Sequence, residues 1–165
     1  MNQEFIDTKE LVELEQFKSF SDKIGLSSVV TPKSETNPVS LLGIKLNGDL
    51  NLHLIFVPLP IDKFSQVSLI QFHSLIKEKV NVTDSSLLTL LNRVNEKTPL
   101  GLFLLNEDNE LVYKYILAKV KPELLSEDFF IELMAIIVPV LEEHVKIFEN
   151  LFNGKHTLEE ALRSL

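Results

Sequence analysis

The fold is decided by residues 87–152, which read LLTLLNRVNEKTPLGLFLLNEDNELVYKYILAKVKPELLSEDFFIELMAIIVPVLEEHVKIFENLF. The stretch opens with a helical pattern and continues through two β-prone runs, which the polar residues 106–109 separate. It closes with a long apolar segment that Ser126 can cap, with Glu127 and Asp128 favourable in the first turn. The order predicts a helix, a hairpin and a long closing helix.

The residues before this stretch predict a first helix and a meander of strands. Apolar residues recur at helical spacing from Leu11 onwards, behind a capping pattern made by Asp7 and Glu10. An Asn47-Gly48 turn then joins two apolar runs, which is a strong signal for a hairpin. Residues 67–80 fit either a helix or a strand, and we favour a strand because it continues the meander.

These elements predict an α+β fold in the order α-β-β-β-(β)-α-β-β-α, with helices packed on one face of an antiparallel sheet. The chain has 165 residues and is 45% hydrophobic, which is enough for one domain with an ordinary core. We therefore expect a single α+β domain over residues 1–165. Residues 155–165 form a short C-terminal helix that can fray.

Composition excludes several classes of function. The chain has no cysteine, so it has no disulfides, thiolate metal sites or cysteine nucleophiles. Its formal net charge is −8, which argues against nucleic acid and anionic membranes as partners. The apolar runs are shorter than the roughly 20 residues that a bilayer span needs. Residues 1–7 lack a signal-peptide pattern, so we expect a cytoplasmic protein.

The sequence contains no motif that supplies a reaction. None of the four histidines stands at a metal-ligand spacing. His53 and His73 can be neighbours across the sheet, which leaves a metal or acid-base pair open, but we favour solvent-facing strand residues. We expect His144 to lie with nearby glutamates on a solvated face of the closing helix, and Asn95 to satisfy backbone groups rather than a ligand. No catalytic, cofactor-binding or metal-binding residue is predicted, and no enzyme or cofactor.

The closing helix is apolar on more than one side, and Pro139 falls on its polar remainder. One apolar stripe contains Phe130, Met134, Ile137, Leu141, Val145, Phe148 and Phe152. A second stripe contains Phe129, Ile136, Val140, Ile147 and Leu151. The second stripe is either internal core or a partner-binding surface, and we expect a homodimer that uses these five residues or the exposed sheet face.

The chain resembles the YbjN-like family in the order of its elements and in three stretches of sequence. These stretches are the pentapeptide Leu91-Asn92-Arg93-Val94-Asn95, the run Leu100-Gly101-Leu102-Phe103 and residues 106–113. That family shares its α+β fold with the type III secretion chaperones. The resemblance covers roughly residues 7–152. It implies an antiparallel sheet with helices on one face, a tendency to self-associate and no agreed enzymatic activity, so it carries over no catalytic residue.

Two hypotheses of function follow. The first is a non-enzymatic protein-binding or regulatory module, chaperone-like in action, that binds a protein partner through an apolar helix or sheet surface. The alternative is a small-molecule sensor or minor enzyme with a pocket between the sheet and the closing helix. Tyr113, Tyr115, His53 or His73 would reach that pocket. The sequence identifies neither the partner nor the pathway.

Overall fold

The structure is a computed structural model that describes residues 3–48, 50–57, 67–81, 85–120 and 124–165, with the side chains of residues 3–7 left out. These residues follow the predicted order of elements, and the segment that fitted either a helix or a strand is a strand. The elements are α1 (Gln3–Lys23), β1 (Ser28–Thr31), β2 (Leu41–Lys45), β3 (Asn51–Val57), β4 (Val67–Lys77), α2 (Ser85–Lys97), β5 (Leu102–Leu105), β6 (Leu111–Val120), α3 (Glu127–Phe152) and α4 (Leu158–Arg163).

The six strands form one antiparallel sheet in the order β1-β2-β3-β4-β6-β5. Gly48 has a φ of +69° in the turn between β2 and β3, which is the left-handed conformation that an Asn-Gly hairpin requires.

The chain divides into two compact units. The first consists of Met1–Ser74 and Tyr115–Met134, and the second of Leu75–Lys114 and Ala135–Leu165.

In the first unit, one face of the sheet is buried under helices. Phe17 of α1 stacks on Phe130 of α3 with ring centroids 5.2 Å apart and planes 6° from parallel. Lys119 of β6 lies four residues from Tyr115, whose ring contacts Phe72, so all three side chains share this face. The strand residues buried here are Ser28, Leu42, Ile44, Leu52, Leu54, Phe56, Ile70, Phe72 and Ser74.

Ser74 is the polar residue that made the identity of its segment ambiguous in the sequence. It is fully buried, and its hydroxyl donates to the backbone oxygen of Asn51 at 2.6 Å. A buried hydroxyl with a partner does not carry the desolvation penalty of an unpaired one. A serine therefore fits the inner face of β4 without breaking the strand.

The second unit is organised around Phe103 of β5. Its ring lies 5.4 Å from Phe148 of α3 and 5.3 Å from Tyr113 of β6, measured between centroids. The amide side chain of Asn95 accepts a hydrogen bond from the Phe103 N–H at 2.7 Å and donates to its carbonyl at 2.8 Å. Asn95 thus satisfies the backbone of an edge strand, as the sequence predicted.

The turn before β5 depends on Gly101, which has a φ of +73°. A Cβ at this position would lie 2.6 Å from the hydroxyl oxygen of Tyr113, closer than atoms can approach. That hydroxyl donates to the carbonyl of Leu100 at 2.9 Å. Both the backbone conformation and the space therefore require glycine.

The closing helix α3 runs without interruption through Pro139, which is exposed as expected. The hydroxyl of Ser126 accepts a hydrogen bond from the N–H of Phe129 at 3.2 Å, which confirms the predicted cap. The predicted first stripe is buried except for Phe152, which is half-buried. No helix in the described part of the chain is long and apolar enough to cross a membrane.

Two helix predictions need correction. The first helix begins at Gln3, so Asp7 lies within it and is not its cap; Gln3 and Glu4 are good helix formers and extend the helix by about one turn. In α2 the helical spacing predicts an inner face of Leu87, Leu88, Leu91 and Val94, but Leu88 is exposed and Leu90 is buried instead. Leu90 stands four residues before Val94, which places both on one side of the helix.

The predicted solvated face of α3 is also wrong at one position. His144 is buried, its Nδ1 lies 2.9 Å from the carbonyl of Val140, and its ring meets the Phe103 ring edge-on. The reason is helical spacing: His144 is three residues after Leu141 and four before Phe148, both of which are in the core.

Adjacent phenylalanines test this assignment of the core. We expect Phe130→Ala to lower the free energy of unfolding by about 3–5 kcal/mol, because it removes a buried ring that stacks on Phe17. The matched control is Phe129→Ala, an exposed neighbour, which should cost about 1 kcal/mol or less. Urea unfolding followed by circular dichroism measures both. Equal losses would contradict the assignment.

Candidate partner-binding surface

The opposite side of the sheet in the first unit is accessible, and we call it the open face. On strands β1 to β4 and β6, the residues that alternate with the buried ones are half-buried or exposed. Most of them are nevertheless apolar. Val29 is 64% exposed and Val120 is 55% exposed. The apolar members are Val29, Leu41, Ile55, Val57, Val67, Leu69, Ile116, Ala118 and Val120, and the polar members include Lys45, His53, Gln71 and His73.

Strand register places the two histidines side by side. His53 of β3 is the direct cross-strand partner of His73 of β4, so the neighbours suggested by the sequence are confirmed. His53 is also the partner of Gly43 in β2, which in turn faces Val29 in β1. A row of directly paired residues therefore crosses four strands of the open face, and it consists of Val29, Gly43, His53 and His73.

The imidazole of His53 lies over Gly43. A Cβ at residue 43 would be 3.5 Å from His53 Cδ2, which is ordinary van der Waals contact, so the ring packs directly beside this position. Burial lowers the pKa of His53 below its usual 6.5, because desolvation disfavours the charged ring. Burial of the His53 ring therefore disfavours a positive charge on this residue, which has apolar neighbours on the open face.

The residues predicted for a ligand pocket do not come together. Tyr113 is buried against Phe103, and its hydroxyl is bonded to a backbone carbonyl. Tyr115 lies on the covered face with Phe72, while His53 and His73 lie on the open face. Within the described residues, no group of three or more histidine or acidic side chains can hold a metal ion.

The predicted partner-binding stripe of α3 divides into accessible and buried members. Phe129 and Ile136 are exposed, and Val140 and Leu151 are half-buried. Ile147 is buried in this chain and has little surface left for a partner. Its position follows from helical spacing, since it is three residues after His144, which is also buried.

A scan against models of known protein families gives no match, and a search of curated protein sequences gives none either. The resemblance to the YbjN-like family therefore stays a prediction. What defines the candidate site is its geometry: an α+β chain with one covered and one accessible sheet face.

Sequence reasoning missed most of the open face. The alternation in β3 predicts one core face, made by Leu52, Leu54 and Phe56, and the structure places the apolar Ile55 and Val57 on the other face. Leu41 in β2 and Leu69 in β4 are apolar in the same way. The signal that was available is that several strands are apolar at consecutive positions, which indicates an apolar residue on both sides of a sheet.

The lowered pKa of His53 predicts a pH dependence of stability. Below about pH 6.5 the unfolded chain binds a proton that the folded chain resists, so stability falls as the pH decreases. We expect the free energy of unfolding to decrease from about pH 7.5 to about pH 5.5, and to decrease less in His53→Gln. Burial also lowers the pKa of His144, so part of the slope should remain.

Urea unfolding at each pH measures this effect. Gln71→Asn, a neutral change on the same open face, is the matched control and should keep the wild-type slope. The double variant His53→Gln/His144→Gln should flatten the slope further. If His53→Gln has the same pH dependence as the wild type, the assignment to His53 is wrong.

Proposed function

We propose that this protein is a non-enzymatic binding module that recognises a protein partner through the open face of its sheet. The observation that carries the proposal is the concentration of accessible apolar side chains on one side of five neighbouring strands. Single exposed apolar residues are normal on a soluble protein, but a contiguous group of them marks an interaction surface. A chaperone-like action in the cytoplasm is the form of this function that the resemblance to the YbjN-like family supports.

The size of the open face is suited to a protein segment. Five strands at a spacing of about 4.8 Å give a width of about 24 Å. The seven residues of β3 extend for about 23 Å in the other direction. Each apolar side chain that a partner removes fully from water contributes about 1.5–3 kcal/mol, less the part already buried in the free chain.

Variants on the open face test the proposal. Val29→Thr/Ile116→Thr keeps β-branched residues in the strands but removes apolar surface from two exposed positions. Used as bait in a native lysate, the wild type should capture a specific protein that the double variant captures several-fold less. Quantitative mass spectrometry compares the two.

Val12→Thr in α1 is the matched control, because Val12 is also an exposed valine but lies on a helix. It should capture the partner as well as the wild type does. Capture that is equal for all three baits would show that the open face is not the binding surface.

We also propose that the chain forms a homodimer through the accessible part of the α3 stripe. Ile136 is 42% exposed on a helix whose other apolar residues are largely buried. Val140, four residues on, lies on the same side and is half-buried. A closed two-fold contact is the commonest way for a soluble protein to cover such residues.

Aspartates on this stripe should separate the copies. We expect Ile136→Asp/Val140→Asp to be a folded monomer, because an interface charge must lose its water when the copies associate. Leu88→Asp is the matched control, since Leu88 is 43% exposed on α2, and it should leave the dimer intact. Light scattering gives the mass and circular dichroism the fold. A wild type that is monomeric at high concentration, or a double variant that unfolds, would contradict the dimer.

A further inference from the structure

The six strands of the described chain differ in charge from the rest of the sequence. The whole chain has 24 acidic residues and 16 lysines and arginines. The strands contain Lys45, Lys77, Lys114, Lys119, His53 and His73, but neither aspartate nor glutamate. The acids therefore lie on helices and connections, while the strands carry only groups that are neutral or basic.

The covered face of the first unit shows which groups of the sheet contact a helix that packs on it. There α1 places Leu14 and Phe17 in the core, and both are buried. Beside them, Glu13 Oε1 of the helix lies 2.5 Å from Lys119 Nζ of the sheet, with both side chains only 9% exposed. A glutamate next to an apolar stripe thus meets a lysine that stands among apolar strand residues.

The open face offers the same combination of groups without a helix of this chain on it in the described residues. It has apolar positions on each strand, the exposed Lys45 at the end of β2, and the two adjacent histidines. An acidic group on the ligand would find a cation at Lys45 and no fixed negative charge on the strands. Charge complementarity of this kind selects one partner over another and sets the register of binding.

We propose that the open face binds an acidic amphipathic helix of a partner protein, whose apolar stripe is flanked by glutamates or aspartates. This inference rests on the proposed function, and it names the chemistry of the partner. A helix is about 10–12 Å across, so it fits within the width of about 24 Å that five strands provide. About 15 helical residues cover the length of β3.

The same charges argue against other occupants. If two copies stacked their open faces about a two-fold axis, Lys45, His53 and His73 would face groups of the same sign or neutral groups, without an acid to pair with. A nucleic acid or an anionic membrane needs clustered cations, whereas the described strand residues of the first unit place one lysine, Lys45, among mostly apolar side chains on this face. The apolar character and the lone lysine favour a helix that brings its own carboxylates.

Three synthetic peptides of about 18 residues, long enough to span β3, test the proposal. They share one leucine and isoleucine stripe, and their flanking positions are all glutamate, all glutamine or all lysine. Fluorescence anisotropy of labelled peptide measures the affinity at low and at high salt. We expect the glutamate peptide to bind most tightly, and the lysine peptide about tenfold more weakly, with a difference that shrinks as salt is added.

Variants of the protein locate the site. Lys45→Glu should weaken binding of the glutamate peptide by about tenfold and strengthen binding of the lysine peptide. Lys33→Glu is the matched control, because Lys33 is exposed between β1 and β2 but outside the strands, and it should change neither affinity. Circular dichroism confirms that both variants are folded.

The remaining outcomes of the peptide and variant measurements would each contradict one part of the proposal. If the glutamine peptide binds as tightly as the glutamate peptide, the acidic partner is wrong, although the protein-binding function stands. If Lys33→Glu has the same effect as Lys45→Glu, the acidic flank of the peptide does not pair with Lys45, and the acidic partner is wrong. If no peptide binds, the helical partner is wrong. The proposed function itself falls only if the Val29→Thr/Ile116→Thr bait also captures partners as the wild type does.

Discussion

The sheet of this protein has two sides, and both carry apolar residues. Successive side chains of a strand point to opposite faces, so a strand that is apolar at consecutive positions presents an apolar surface on each side. In the first unit, α1 and the start of α3 cover one of these surfaces, and the stack of Phe17 on Phe130 joins the two helices. The accessible residues of the other surface follow from this arrangement, and so does its suitability for a partner.

Several polar side chains in or beside the core have a partner group within the chain. Ser74 donates to a strand carbonyl, and the Asn95 amide bonds both backbone groups of Phe103. His144 lies beside the Val140 carbonyl, and Glu13 pairs with a lysine of the sheet. A buried polar group that lost its partner would cost about 1–3 kcal/mol, so these residues specify where each element must lie.

Local signals in the sequence predicted most of the fold. The Asn47-Gly48 turn and the Ser126 cap are short-range features, and each marks the element that it was expected to mark. The open face was not predicted, because whether Ile55 is covered depends on which strands and helices are its neighbours in space. The burial of His144 was missed for a different reason: its polar character outweighed a helical spacing that was already visible.

The contact of Tyr113 with Gly101 has a consequence for how the β5–β6 hairpin forms. If the two strands paired one residue out of step, every side chain of β6 would turn to the other side of the sheet. Tyr113 would then leave the space above Gly101, and its hydroxyl would lose the Leu100 carbonyl. A misaligned hairpin would thus lose a buried aromatic ring and a hydrogen bond together. The pair therefore favours the native register of the hairpin over one that is shifted by a residue.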